Sequence, residues 1–232
     1  MIEIRKSKER YASKRDWLDS KHTFGFGNVG EPRFMGYRTL RILNEDKVAP
    51  AGGFGMHQHE DMEIVSYVLE GTVAHRDSLG SGGLICPGEI QRMTAGSGIR
   101  HSEINASDTD PAHFLQIWIQ PCKKGLHPSY EQRPMPAVTA KAQLDLIGSH
   151  DGRDGSVLIH QDVNLYRATL RDGASLPVPL APGRNAWVHV ARGAAVINDL
   201  YIDAGDGAAV SSETELILTG RRDAELLVFD LR

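Results

Sequence analysis

Apolar positions along this chain either alternate with polar ones or fill short stretches completely, and they seldom recur at the three-and-four spacing of an amphipathic helix. The runs YRTLRIL, EIVSYVLEG, HFLQIWIQ, NAWVHVARGAAVI and ELLVFDL are rich in Val, Ile, Leu, Tyr and Trp. Clusters of Gly, Pro, Asn and Asp separate them, as expected of strands joined by turns. Only the stretch from Ala142 to Ile147 has helical spacing, and it is brief. The pattern predicts an all-β fold with few short helices, and the 24 glycines suit the many tight turns of a barrel or sandwich.

The pattern also repeats. VSYVLEGTV, followed after a spacer by CPGE, is echoed by WVHVARGAAV followed by DAGDG. Each reads as a strand, a glycine turn, a second strand and a further glycine turn, which predicts a duplicated β-barrel. With Gly71 matched to Gly193, the positions corresponding to His57, His59 and Glu63 are Pro179, Ala181 and Asn185, so only the first copy carries metal-ligating residue types. The stretch 130–138, YEQRPMPAV, holds two prolines and no strand alternation and is the expected linker. The predicted units are 1–135, a metal-binding barrel, and 136–232, a barrel lacking metal ligands.

Composition narrows the function classes. A chain of 232 residues with 41% hydrophobic content can bury a sizeable core. A formal charge of −4 without long Lys/Arg runs argues against a nucleic-acid or membrane-surface role. The N-terminus MIEIRKSKERY lacks the apolar stretch of a signal peptide, and no segment is long enough to span a bilayer, so a cytoplasmic location is expected. In that compartment Cys86 and Cys122 are expected to be thiols. No P-loop and no GxGxxG leading into a helix is present.

The candidate chemistry lies in two short segments. GFGMHQHEDME contains His57 and His59, and GSGIRHSEIN contains His101 and Glu103. Residues i and i+2 of a strand share a face, so each pair projects two ligating groups into one space. Three neutral imidazoles and one carboxylate suit a first-row divalent ion with positions left for a substrate, water or dioxygen. Glu63 is the competing carboxylate. In the cupin superfamily, which these segments resemble, six residues separate the motif's glutamate from its glycine; Ile64 stands at that place before Gly71, and the one-residue displacement of Glu63 reverses the face of a side chain on a strand. Parity from His59 alone would still allow it inward, so Glu103 is preferred and Glu63 kept as the alternative. His22, His75, His113, His127, His150, His160 and His189 have no partner at ligand spacing and are read as ordinary core or surface residues.

These segments resemble the cupin superfamily, whose first motif runs HxH, Glu, Gly and whose second includes PxG and HxxxN. Pro87, Gly88, His101 and Asn105 match the second motif. WLDSKHTFGFGN, HxHxxxExVSYVLEGTVAHRDSLG, PGEIQRMTAGSGIRHSE and LQIWIQP together resemble the pirins and their bacterial relatives over most of residues 17–135, and more loosely beyond. The resemblance implies a bicupin, two β-barrels face to face, with one metal in the N-terminal barrel held by His57, His59, His101 and Glu103. It implies iron as the metal, although Mn, Ni, Cu, Co or Zn would also suit the ligands. It further implies cleavage of a flavonol such as quercetin by dioxygen, giving a ring-opened depside and carbon monoxide. In that reaction Glu103 receives the 3-hydroxyl proton, with Glu63 the lesser candidate. Pirins also resemble regulatory modules that bind other proteins, so a protein partner is the alternative. An isomerase of sugar phosphates is disfavoured, since no phosphate-binding Arg/Lys group stands out. Trp17, Phe24 and Phe26 are read as packing residues.

Overall fold

The computed structural model describes residues 1–27, 30 and 34–232, so Asn28 at the end of WLDSKHTFGFGN lies outside the described residues. The fold is all-β. Helical turns among the described residues are single 3-10 turns such as Ser7–Glu9 and Arg153–Gly155, and no helix is long and apolar enough to cross a membrane. The helical spacing at 142–147 proves misleading: Gln143–Ser149 is a strand paired with Val163–Leu170. So short a segment cannot repay helix nucleation, whereas a neighbouring strand satisfies its backbone along its length.

The chain divides into two compact units that are not the contiguous halves 1–135 and 136–232 expected from the sequence. One comprises Tyr11–Met135 and Val157–Gln161, and the other Met1–Arg10, Pro136–Ser156 and Asp162–Arg232. Residues 1–10 join the C-terminal residues because Ile2–Arg5 pairs with Gly207–Val210, while Ile2 and Ile4 pack on that unit's apolar cluster. The strand covers an otherwise open sheet edge. Residues 157–161 join the first unit, where the His160 carbonyl accepts the Cys122 N–H at 2.8 Å. The expected linker is also corrected. Ser129–Pro134 is a strand at the sheet edge, paired with Glu89–Thr94, and its proline stands last, a position where a missing N–H is tolerated.

The first unit holds two sheets. One has seven strands in the order Ser129–Pro134, Glu89–Thr94, Glu63–Glu70, Ala112–Ile119, Leu40–Val48, Leu18–His22 and Tyr11–Arg15. The other runs Gly53–His59, Ile99–Asn105, Val73–Asp77 and Gly82–Ile85. Val48, Val68 and Phe114 from the first sheet and Val73 and Ile85 from the second form a shared core cluster. Phe24 is buried and Trp17 packs on this cluster, but Phe26 is 41% exposed and edges against His22, so it is not core.

The second unit repeats the arrangement. Glu63–Glu70 and Asn185–Arg192 each run into a glycine in the left-handed region, Gly71 (φ 73°) and Gly193 (φ 71°). A Cβ would stand 2.7 Å from the Pro111 carbonyl oxygen at the first and 2.0 Å from that of Asp223 at the second, so close backbone approach requires glycine at both turns. The interiors differ. Leu176 and Val178 with Leu216 and Leu218, from the two strands corresponding to the histidine-bearing pair, pack into a large apolar cluster.

Candidate metal centre

The inner face of the seven-stranded sheet carries a polar row set by strand register. Ser66 lies opposite Gln116, Gln116 opposite Asn44, and Asn44 opposite His22; one pair further along, Asp46 lies opposite Ser20. The facing sheet contributes the histidines. His101 pairs with His57, but Glu103 pairs with Phe54, because a bulge falls between them and the Gly53–His59 strand has one residue extra. A bulge changes the parity of the strand that carries it. Phe54 therefore lines the same cavity as His57, although the two are three positions apart.

His57, His59 and His101 converge, with a ring nitrogen from each lying within 4.8 Å of the others. The ring centroids are 4.6 Å apart for His57 and His59, 4.4 Å for His57 and His101, and 4.9 Å for His59 and His101. Burial, aided by mutual repulsion, lowers the pKa of His59 to about 4 and that of His101 to about 2. Both rings are neutral near pH 7 and keep a lone pair for a cation. Nδ1 of His57 stands 2.8 Å from the Gly55 carbonyl oxygen. That contact assigns the proton to Nδ1 and leaves Nε2 as donor atom to an ion. Nε2 of His101 is buried with no protein hydrogen-bond partner, an arrangement that costs about 1–3 kcal/mol unless an ion or ligand takes the lone pair. The donor set and the orphaned nitrogen fit a divalent metal.

Glu103 is buried beside this cluster and forms a second group of close ligand atoms with His101 and His75. Ser66 Oγ donates to its Oε1 at 2.7 Å, and Gln116 Nε2 donates to its Oε2 at 2.5 Å. Burial raises its pKa despite these bonds, and a cation bound beside it would favour the charged form. Glu63 points elsewhere. Ser66 reaches Glu103 and Ile64 packs with Ile99 of the facing sheet, so even-numbered positions of Glu63–Glu70 face inward. Glu63, on the other face and fully buried, accepts from Thr94 Oγ1 at 3.1 Å and approaches His160 Nδ1 at 3.4 Å. It belongs to neither group of close ligand atoms among the described residues.

A cavity of about 230 Å³ opens on the cluster, lined by Asn44, Asp46, Phe54, His57, His59, Glu103, Gln116 and Trp118. The Trp118 ring lies 4.7 Å from that of His59 and nearly perpendicular to it. Asn44 Oδ1, Gln116 Oε1 and Trp118 Nε1 are buried without a hydrogen-bond partner. The cavity thus offers two aromatic walls and unused polar atoms to a planar, hydroxylated ligand.

Several of these residues escape sequence reasoning. His75 packs on His101, with the two Nδ1 atoms 3.5 Å apart, and its Nε2 lies 3.7 Å from Asp77 Oδ2. The i, i+2 spacing of His75 and Asp77 was the available signal. Asn105, matched to a family motif, is structural: its Nδ2 donates to the carbonyls of Val48, Ala49 and Asp110 at 3.2, 3.1 and 2.8 Å. Both cysteines are free.

The chain is similar to known proteins along its whole length. The Pirin family model matches residues 4–119, and a model described as the quercetinase C-terminal cupin domain matches residues 146–231. The quercetin 2,3-dioxygenase of Escherichia coli (strain K12) is 46% identical over 232 residues, covering 100% of this chain and 99% of its own. A pirin-like protein of Caulobacter vibrioides is 36% identical over 215 residues, 92% of each chain. The crystal structure of the bacterial pirin YhhW from Escherichia coli in complex with nickel(II) is 44% identical, superposes with a TM-score of 0.94, and covers 100% of this chain and 99% of its own.

Proposed function

The chain belongs to the pirin family, and from that premise we propose that it is a metal-dependent dioxygenase that opens the central ring of flavonols such as quercetin with dioxygen, releasing carbon monoxide. The observation that carries this reading is the convergence of His57, His59 and His101, with Glu103 beside them, at an aromatic-walled cavity that His57, His59 and Glu103 line. His57, His59, His101 and Glu103 are the residues that would hold the metal. A divalent ion there supplies a Lewis-acidic centre of net charge about +1 that favours the 3-oxyanion of the flavonol.

The protein's own groups do the rest. Phe54 and Trp118 flank a flat aromatic substrate. Trp118 Nε1 can donate to a carbonyl or hydroxyl oxygen, while Asn44 Oδ1 and Gln116 Oε1 can accept from ring hydroxyls. Glu103, held at both oxygens by Ser66 and Gln116, is fixed beside the histidines as the carboxylate that would complete the metal's ligand set. Iron, implied by the family resemblance, and nickel, the ion of the Escherichia coli complex, are the first two metals to load.

The test is a substrate pair. Metal-loaded protein is expected to bleach quercetin and consume oxygen near neutral pH, and to leave untouched the flavone that differs only in lacking the 3-hydroxyl. Without that hydroxyl no oxyanion can form. Equal consumption of both would assign the activity to adventitious metal oxidation. Consumption of neither by any metal form, with metal content verified, would shift the reading to a metal-dependent module that acts through protein partners.

A further inference from the structure

A proton released in a closed cavity needs a way out, and one wall of this cavity provides a connected chain of polar groups. Asp46 lines the cavity and is 1% exposed. Ser20, directly opposite on the neighbouring strand, donates from Oγ to Asp46 Oδ1. Ser20 Oγ also lies 3.5 Å from Nδ1 of His22, two residues along on the same face. Across that ring, Nε2 lies 2.8 Å from Ser13 Oγ, on the edge strand Tyr11–Arg15 and only half-buried. Ser20 and His22 are themselves buried at 1% and 5% exposure. The four side chains therefore run from the cavity wall to the sheet edge without a break.

The geometry points to Asp46, Ser20, His22 and Ser13 as a proton route, with Asp46 a further catalytic group that takes the substrate's hydroxyl proton out of the cavity. This rests on the flavonol reading of the same site. In the step, the substrate O–H bond breaks and an O–H bond forms on the Asp46 carboxylate. Asp46 then passes a proton to Ser20 Oγ as Ser20 hands its own to Nδ1 of His22, and Nε2 releases one to Ser13 and solvent. Only O–H and N–H bonds are exchanged, so no oxidant or reductant enters, and the reverse transfer returns a proton to the product. Asp46 takes the place of Glu103, the acceptor the family resemblance implied, because both Glu103 oxygens already accept hydrogen bonds whereas Asp46 leads outward.

The acid–base character of Asp46 suits the task. Burial, opposed by the Ser20 hydrogen bond and reinforced by the charges of Glu103 and Glu45, raises its pKa to about 7. A group that titrates near the working pH can both take and give a proton. A structural aspartate would more commonly face a cation, but the charged groups acting on Asp46 are both acidic.

The experiment compares wild type with Asp46→Asn, Ser20→Ala and His22→Gln, each loaded with iron or nickel and checked for metal content and thermal midpoint. Two readouts are taken: kcat with quercetin, and the proton released to an indicator dye when flavonol is mixed with the protein without oxygen. Asp46→Asn is expected to lower kcat by about 100-fold or more, within the usual range for loss of an acid–base group, and to abolish the fast proton release with metal content unchanged. Ser20→Ala and His22→Gln should slow proton release and turnover together with KM little changed, and added imidazole should partly restore His22→Gln. Wild-type proton release and kcat in a metal-replete Asp46→Asn would overturn the proposal. Should that variant fail to fold, unchanged proton release in both Ser20→Ala and His22→Gln would overturn it equally. A wild type that turns over no flavonol removes the functional reading, and the route with it; an active wild type with indifferent variants removes the route alone.

Discussion

Replacing His101 by alanine is expected to strip the protein of its metal. His101 sits at the centre of the cluster, 1% exposed, with its ring 4.4 Å from that of His57 and 4.9 Å from that of His59. Its buried Nε2 has no protein partner, so the fold leaves that nitrogen for an ion. Loss of a residue that only supports a ligand typically costs ~10–100-fold in affinity, and loss of this ligand should exceed that. Metal analysis after mild chelation and reloading is expected to find about one equivalent in wild type, since the second unit's corresponding strands present Leu176, Val178, Leu216 and Leu218 inward. In His101→Ala it should find almost none. Two tightly held equivalents in wild type, or full content in the variant, would place the metal elsewhere.

The carboxylates should separate cleanly. Glu103→Gln keeps the side chain's size but removes the charge beside the histidines, and metal retention and turnover should both collapse. Glu63→Gln should keep the metal and lose stability instead. Its carboxylate is fully buried, on the face of its strand turned away from the cluster, accepting from Thr94 and close to His160, with the charge of Arg92 acting on it. Burial already raises the pKa of this carboxylate, so the loss comes from its hydrogen bonds: an amide there keeps one acceptor oxygen instead of two, and a buried hydrogen bond lost in this way costs about 1–3 kcal/mol. Metal content and denaturation midpoint, measured side by side, decide it. If Glu63→Gln loses the metal while Glu103→Gln keeps it, the assignment is reversed.

What was legible in the sequence follows strand geometry. His57 with His59 and His101 with Glu103 could be read because both pairs lie at i, i+2, a relation that survives whatever the strands pair with. The displacement of Glu63 was legible only through the cupin motif, whose count to Gly71 puts Ile64 in the glutamate's place; parity from His59 left Glu63 open, and the structure turns Ile64 inward. The repeat was legible because Gly71 and Gly193 occupy equivalent turns that admit only glycine.

The remaining groups depend on register between strands distant in sequence. Gln116 reaches Glu103 only because Ala112–Ile119 inserts between Glu63–Glu70 and Leu40–Val48. Asp46 meets Ser20 because Leu18–His22 lies beside Leu40–Val48, and His22 looked like a lone histidine for want of that neighbour. Phe54 enters the cavity through a bulge that no alternation pattern announces. Likewise, nothing in MIEIRKSKERY shows that its strand will close the edge of a sheet formed some two hundred residues later.

The most direct test of the central claim is the stoichiometry of carbon monoxide released to dioxygen consumed when quercetin is supplied to metal-loaded protein, to metal-free protein and to Glu103→Gln. The account predicts a ratio close to one for the loaded wild type, with negligible consumption by the other two. Oxygen uptake without carbon monoxide, or equal rates with and without the metal, would contradict it.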